Sequence, residues 1–199
     1  MMFPTWQSPD YIRREGGDLF SRSGAIFSRD ERLRFLLWRI WDPEVPPWVL
    51  LMCNPSTADE TANDPTVAGC QKRARSWRAG GLIVVNLFSL RCTDPRGLRY
   101  KLEPGTGRPI AETALRPEER IGNPDNDRAI LEAAAGAGIV IAGWGAIGGE
   151  LDGRGAAVSQ LLREAGVRLY CFRETAAGHP EHPLYIPHNE PPKEWRGGR

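Results

Sequence analysis

The stretch WVLLMCNPS, residues 48–56, decides how the rest of the chain is read. Trp48 to Cys53 are apolar without a break, as a strand covered on both faces requires. The run stops at Asn54-Pro55, where proline removes a ladder donor. Asp64-Pro65 then starts a helix, with an acid at the cap and proline in the first turn. Val67, Cys70, Ala74 and Trp77 follow at helical spacing until Gly80-Gly81 close it. A second apolar run, residues 82–90, begins immediately. Strand, helix, strand is the crossover unit of a parallel sheet.

Towards the C-terminus the pattern repeats. Asp125-Asn126-Asp127 cap a helix that runs through Ile130, Leu131 and Ala134. Residues 139–142 make a third apolar strand, 154–165 a helix and 167–172 a fourth strand. Towards the N-terminus, residues 26–41 read as two edge strands or a hairpin, because Arg32 and Arg34 alternate with Leu33, Phe35 and Leu37. The expected fold class is therefore α/β: a three-layer sandwich whose central, mostly parallel sheet has four strands, plus an N-terminal β-hairpin or edge strands. No repeat or linker divides the chain. Residues 1–199 read as a single domain, with the core between about 25 and 195. A long irregular stretch, 91–124, is rich in Pro, Gly and Arg, and a loop of that length is more often functional or mobile than idle.

With 199 residues, 41% of them hydrophobic, the chain can bury one well-packed core. No apolar run approaches the roughly 20 residues of a membrane span. Met1–Ser8 lacks the basic flank and apolar stretch of a signal peptide, so the cytoplasm is the expected location and no membrane contact is expected. Cys53, Cys70, Cys92 and Cys171 lie far apart, which suits neither a zinc ribbon nor a disulfide scaffold. No cofactor, metal or obligatory protein partner is expected. The net charge of +1 hides a cluster: between Lys72 and Lys101 stand Lys72, Arg73, Arg75, Arg78, Arg91, Arg96, Arg99 and Lys101 against Asp94 alone. The cluster reads either as a solvated face balanced by acids folded nearby, or as a grip on a nucleic-acid backbone by Lys72, Arg73, Arg75, Arg91 and Arg96.

Open parallel sheets bind ligands beyond the carboxyl ends of their strands. Here those ends carry the segment from Asn54 to Asp59, Asn86 with Phe88, Trp144 between glycines, and the late His182-Pro183. An asparagine such as Asn86, set among Ile83, Val84, Val85, Leu87 and Phe88, costs on the order of a few kcal/mol if buried without a partner. It either bonds a neighbouring loop or reads the edge of a bound base or sugar. Pro55, Ser56, Phe88, Trp144, Asp125 and Asn126 complete the candidate substrate-binding set. Gly143-x-Gly145-x-x-Gly148 matches a dinucleotide fingerprint, but it comes too late in the chain, and the glycines that follow delay the next helix. His179, His182 and His188 lack a credible fourth metal ligand. Helix capping accounts for Asp64 and for one of Asp125 and Asp127. Asp59 has no cap to make, and it stands with Asn54 and His182 as a candidate catalytic residue.

Six short motifs in order carry a resemblance. They are Asn54–Asp59, Asp64-Pro65-Thr66, Val85-Asn86-Leu87-Phe88, Pro124-Asp125-Asn126-Asp127, Trp144-Gly145 and His182-Pro183-Leu184-Tyr185. Over residues 25–195 the chain resembles a bacterial and phage family catalogued as domain of unknown function 1643. More distantly, the order of Asn-Pro-Ser, inner asparagine, Trp-Gly and His-Pro is similar to the uracil-DNA glycosylase superfamily. That resemblance implies that Asn54 orients water, Asn86 binds the base, Phe88 or Trp144 stacks on it, and His182 hydrogen-bonds the departing anion. Leu184 or Tyr185 would wedge a duplex open. Two departures stand out: His182-Pro183 is followed by Leu-Tyr-Ile rather than Ser-Pro-Leu-Ser, and the cysteines lack the iron–sulfur pattern. The expected function is hydrolysis of the N-glycosidic bond of a modified pyrimidine in nucleic acid, in DNA repair or modification. The alternatives are an enzyme of free nucleosides or nucleotides, and a non-catalytic module that binds a modified base. The expected partner is accordingly DNA or a nucleotide.

Overall fold

The computed structural model describes residues 9–103, 105–106, 108–112 and 123–197. Its strands are β1 (Tyr11–Asp18), β2 (Ser21–Ser28), β3 (Arg34–Ile40), β4 (Trp48–Met52), β5 (Gly81–Asn86), β6 (Tyr100–Leu102), β7 (Pro109–Glu112), β8 (Ile139–Ala142), β9 (Leu169–Cys171) and β10 (Lys193–Glu194). Its α-helices are α1 (Pro65–Ser76), α2 (Pro124–Ala135), α3 (Gly145–Glu150) and α4 (Arg154–Glu164). Eight strands form one sheet in the order β1-β2-β3-β5-β4-β8-β9-β10, and β6-β7 is a separate hairpin.

The sheet is mixed, which corrects the expected four-stranded, mostly parallel one. β5-β4, β4-β8 and β8-β9 pair parallel. β1-β2, β2-β3, β3-β5 and β9-β10 pair antiparallel. The added wing begins at residue 11, well before the stretch expected to hold edge strands. β1 is mostly exposed and glycine-containing (YIRREGGD), so it carries no alternation that marks a strand. β3 differs in another way. All seven of its residues are buried, Arg34 and Arg39 among them, so it is not the half-solvated strand that its alternation suggested. A register shift between Ile26 and Phe27 interrupts the β2-β3 ladder where Arg34 pairs with Phe27.

Helices cover both faces. On one, Val67, Cys70 and Ala74 of α1 pack on Leu37, Leu50, Val84 and Ile141. On the other, Ala129, Ile130 and Ala133 of α2 and Val158 and Leu162 of α4 pack on Val49, Leu51, Val85 and Val140. Each such valine, leucine or isoleucine contributes about 1.5–3 kcal/mol by leaving water, which is what holds the layers together. Trp77 lies outside this packing: it is the C-terminal cap of α1 and 44% exposed. The cap of α2 is Asn123, whose side chain accepts from the Asp125 N–H at 2.9 Å, rather than any of residues 125–127. The fingerprint glycines also differ from expectation. α3 starts at Gly145 itself but lasts only six residues, because Asp152 and Gly153 turn left-handed (φ 51° and 64°) before α4. The Gly145 N–H is taken by the Pro180 carbonyl at 2.8 Å rather than left for a phosphate.

The stretch expected to be irregular, 91–124, contains a 3₁₀ turn (Pro95–Leu98) and the β6-β7 hairpin, and residues 113–122 lie outside the described residues, as does Met1–Ser8. Among the described residues no helix is long and apolar enough to cross a membrane.

Candidate functional site

Where β4, β5 and β8 end, the chain leaves a cleft of about 450 Å³ bounded by the start of α1, the loop after Arg91 and the His182 turn. A smaller chamber of about 60 Å³ lies beside it on the α1 face of the sheet. Asn54, Ser56, Asp64, Thr66 and His182 border both spaces. Trp144 and Tyr185 border the cleft, whereas Asn86 and Arg34 border the chamber. Asn54, Asn86 and His182, far apart in sequence, therefore meet around one hollow.

Local chemistry fixes each of these groups. Asn54 follows β4 and donates its amide N–H groups to the Cys92 carbonyl (2.6 Å) and to the Pro55 carbonyl (3.1 Å), which leaves Oδ1 as its remaining acceptor. Asn86 is the last residue of β5 and 1% exposed, and both its side-chain polar atoms are buried without a hydrogen-bond partner. Such an amide costs about 1–3 kcal/mol unless something else satisfies it. His182 is the N-cap of the 3₁₀ turn Pro183–Tyr185, its Nδ1 accepting from the Leu184 N–H at 3.3 Å. That bond places the proton of the neutral ring on Nε2. Burial pulls the His182 pKa below its ordinary value, against the opposing charge of Asp64. The imidazole is thus a neutral donor at neutral pH. Gly143 makes this approach possible: a Cβ there would sit 3.0 Å from Pro183 Cδ and 3.2 Å from Met52 Sδ.

Other candidates have different roles. Asp59 borders neither space. Its Oδ1 accepts from the N–H of Thr61 and of Ala62 and from the Thr61 hydroxyl, closing its own turn. Burial acts to raise its pKa, but those bonds and the Arg39 charge hold it low. Phe88 is 1% exposed in the core on the α2 face, where it cannot stack on a ligand. Pro55 is buried and its carbonyl accepts from the Cys92 N–H at 2.8 Å. Asp125 pairs with Arg128 at 3.6 Å, away from the cleft. Asn126 is buried and donates to the carbonyls of Asn86 (2.9 Å) and Leu87 (3.0 Å), so it clamps the end of β5 rather than a ligand. Arg154 joins that clamp through Nε to the Leu87 carbonyl (2.9 Å) and a short ion pair to Asp127.

The basic cluster divides. Arg73 is 2% exposed; it donates to the carbonyls of Ile186 (2.7 Å) and Pro187 (3.0 Å) and lies 4.1 Å over the Phe172 ring. Arg96 is paired with Asp94 at 2.6 Å. Arg91 donates to the Glu31 carbonyl, and Arg75 stacks 4.1 Å over Trp41. Lys72 is exposed, and the Lys101 side chain lies outside the described residues.

Two site residues escaped the sequence reading. Asp64 is the helix cap its place before Pro65 predicts, accepting from the Val67 N–H at 2.8 Å, yet it also borders both spaces. Arg34 looked like a solvent-facing position and is instead 2% exposed against the chamber. His179 packs beneath Gly149 and His188 lies near Gly69, so neither joins His182. Among the described residues no three His, Cys, Asp or Glu side chains gather as a metal would need, and the four cysteines are free thiols.

Residues 34–184 match the model of the family described as Protein of unknown function (DUF1643), and the chain belongs to that family. No curated protein and no solved structure matches it.

Proposed function

We propose, for this DUF1643 protein, that the cleft receives a pyrimidine nucleoside or nucleotide and hydrolyses its N-glycosidic bond. The observation that carries the reading is Asn86: a buried amide with donor and acceptor both unpartnered, beside a chamber that opens towards a neutral histidine donor. A pyrimidine edge presents an adjacent donor and acceptor, the complement of an asparagine amide. The motif order, which resembles that of the uracil-DNA glycosylase superfamily, suits the same assignment of roles.

The chemistry follows from charge. As the bond from C1′ to the base nitrogen breaks, its electron pair leaves with the base and the sugar becomes cationic. His182 Nε2–H and the Asn86 amide stabilise the base anion, and fixed donors in a water-poor site do this best. Asn54 Oδ1 holds the water that adds to C1′. Asp64, the carboxylate bordering the cleft, takes that water's proton, and the base nitrogen finally acquires it. Free base and a 1-hydroxy sugar result. The cleft volume lies within the range typical of small-molecule sites.

A single nucleotide unit is favoured over a duplex held through its phosphates. Arg73 is buried and Arg96 is paired with Asp94, which supports a single unit over an extended grip. The test is a panel of modified pyrimidines, supplied both as free nucleosides and within DNA. Released base is read by chromatography, and abasic sites by alkaline cleavage. Base release is expected, with His182→Asn lowering turnover by about 10²–10³-fold, the usual loss of one such donor. Failure of every substrate, or an undiminished His182→Asn, overturns the proposal.

A further inference from the structure

Among the described residues, Arg34 is a buried charge with one donor left unmet. Its side chain is 2% exposed, its Nη1 donates to the Ala58 carbonyl at 2.6 Å, and its Nε is buried without a partner. Among the described residues no carboxylate lies within ion-pair distance of it, and no aromatic ring stacks on it. Arg39, five residues along the same strand, shows the contrast: its donors reach Asn63 Oδ1 and the carbonyls of Trp38, Asp59 and Ala62. Burial pushes the Arg34 pKa down to about 10, with Asp64 opposing and the charges of Arg91 and Arg39 adding to the fall. The guanidinium is therefore still charged at neutral pH.

This cation borders the same chamber as the unpartnered Asn86 amide and the first turn of α1, where the Asp64 carboxylate, itself on the chamber's border, caps the Val67 N–H. Leu50, Val67 and Val84 supply apolar walls that strengthen any charge interaction inside. At about 60 Å³ the chamber is too small for a whole nucleobase, but it holds a group of a few heavy atoms. We infer that the chamber is an anion subsite, in which the Arg34 guanidinium receives a small carboxylate borne by the ligand whose base edge meets the Asn86 amide. A planar carboxylate matches the fork of a guanidinium and supplies the acceptor that Arg34 Nε lacks. Phosphate is bulkier and more heavily hydrated. The subsite rests on the cleft being a nucleobase site, and it narrows the substrate class to pyrimidines that carry an acidic substituent.

Two measurements on the full chain decide it. In the first, sodium formate is titrated into ¹⁵N-labelled protein, with sodium chloride and inorganic phosphate as controls, and the Nε–Hε resonance lost in Arg34→Gln is followed. Formate should shift it saturably and the controls should not. No shift, a shift shared with phosphate, or a chamber that takes up water only would overturn the inference. In the second, calorimetry compares uracil with a carboxyuracil on the unaltered protein, so the answer survives even if Arg34→Gln does not fold. The carboxylated base should bind about tenfold tighter or more, the scale of one charge-assisted contact. Equal binding of the two removes the subsite and leaves the base-binding reading standing, whereas binding of neither removes both.

Discussion

His182 is held neutral by burial and oriented by the Leu184 N–H, and this pairing has a measurable consequence. Its pKa is lower folded than its ordinary 6.5, so the unfolded chain binds the proton first as pH falls. The histidine's contribution to stability is complete above 6.5 and is lost as pH drops through the folded value. Denaturant midpoints taken at about pH 7.5 and pH 5.5 should differ less in His182→Asn than in the native chain. An unchanged difference would show that His182 is not the group responsible. Gly143→Ala tests the same contact sterically, since a methyl there presses on Pro183 and Met52. Turnover should fall more than the roughly 1–3 kcal/mol loss of stability typical of overpacking would explain. At this scale the sequence was partly transparent. Asn54, Asn86 and His182 stood out because each is a polar residue at or just beyond an apolar run. Arg34 did not, because a buried arginine and a solvated one look identical until the strand on its open side is placed.

Helix α1 joins site and scaffold. Asp64 caps it while facing the cleft, and two substitutions separate those roles. Asp64→Asn keeps an equally good cap, so stability should stay within about 0.5 kcal/mol while turnover falls. Asp64→Ala should lose both, with about 1 kcal/mol from the cap. Urea unfolding beside a turnover assay checks the pair, and an active Asp64→Asn would remove the carboxylate from the reaction. Further along α1, Arg73 fastens the helix to Ile186 and Pro187, just beyond the His182 turn. Arg73→Ala leaves two carbonyls unmet and should cost about 2–4 kcal/mol by denaturant melt, loosening the turn at the same time. Arg73 reads as a phosphate contact in the sequence because spacing alone cannot say which helical face another segment will cover. β1 and β2 were obscured for the opposite reason: their glycines and exposed charges carry no hydrophobic period, and their pairing with each other and with β3 makes them strands.

Across the whole molecule, charge is nearly balanced, at +1, and most of the clustered arginines are tied into the fold. Binding to unmodified duplex DNA should therefore be weak. A plot of log affinity against log salt should have a slope no steeper than about −2, since each phosphate contact contributes about −0.9. A steep slope would restore the extended grip. The architecture follows the same logic at larger scale. Residues 48–142 announced parallel pairing through β4, β5 and β8, while the antiparallel wing had to be seen, and it is that wing that buries Arg34 behind the site.

The central claim is that Asn54, Asn86 and His182 enclose one ligand. A crystal structure of the chain grown with a pyrimidine nucleoside tests it most directly. The base edge should lie within about 3 Å of the Asn86 amide, with a ring oxygen substituent facing His182 Nε2. A nucleoside seated elsewhere, or a hollow holding only solvent at saturating concentration, would contradict the account.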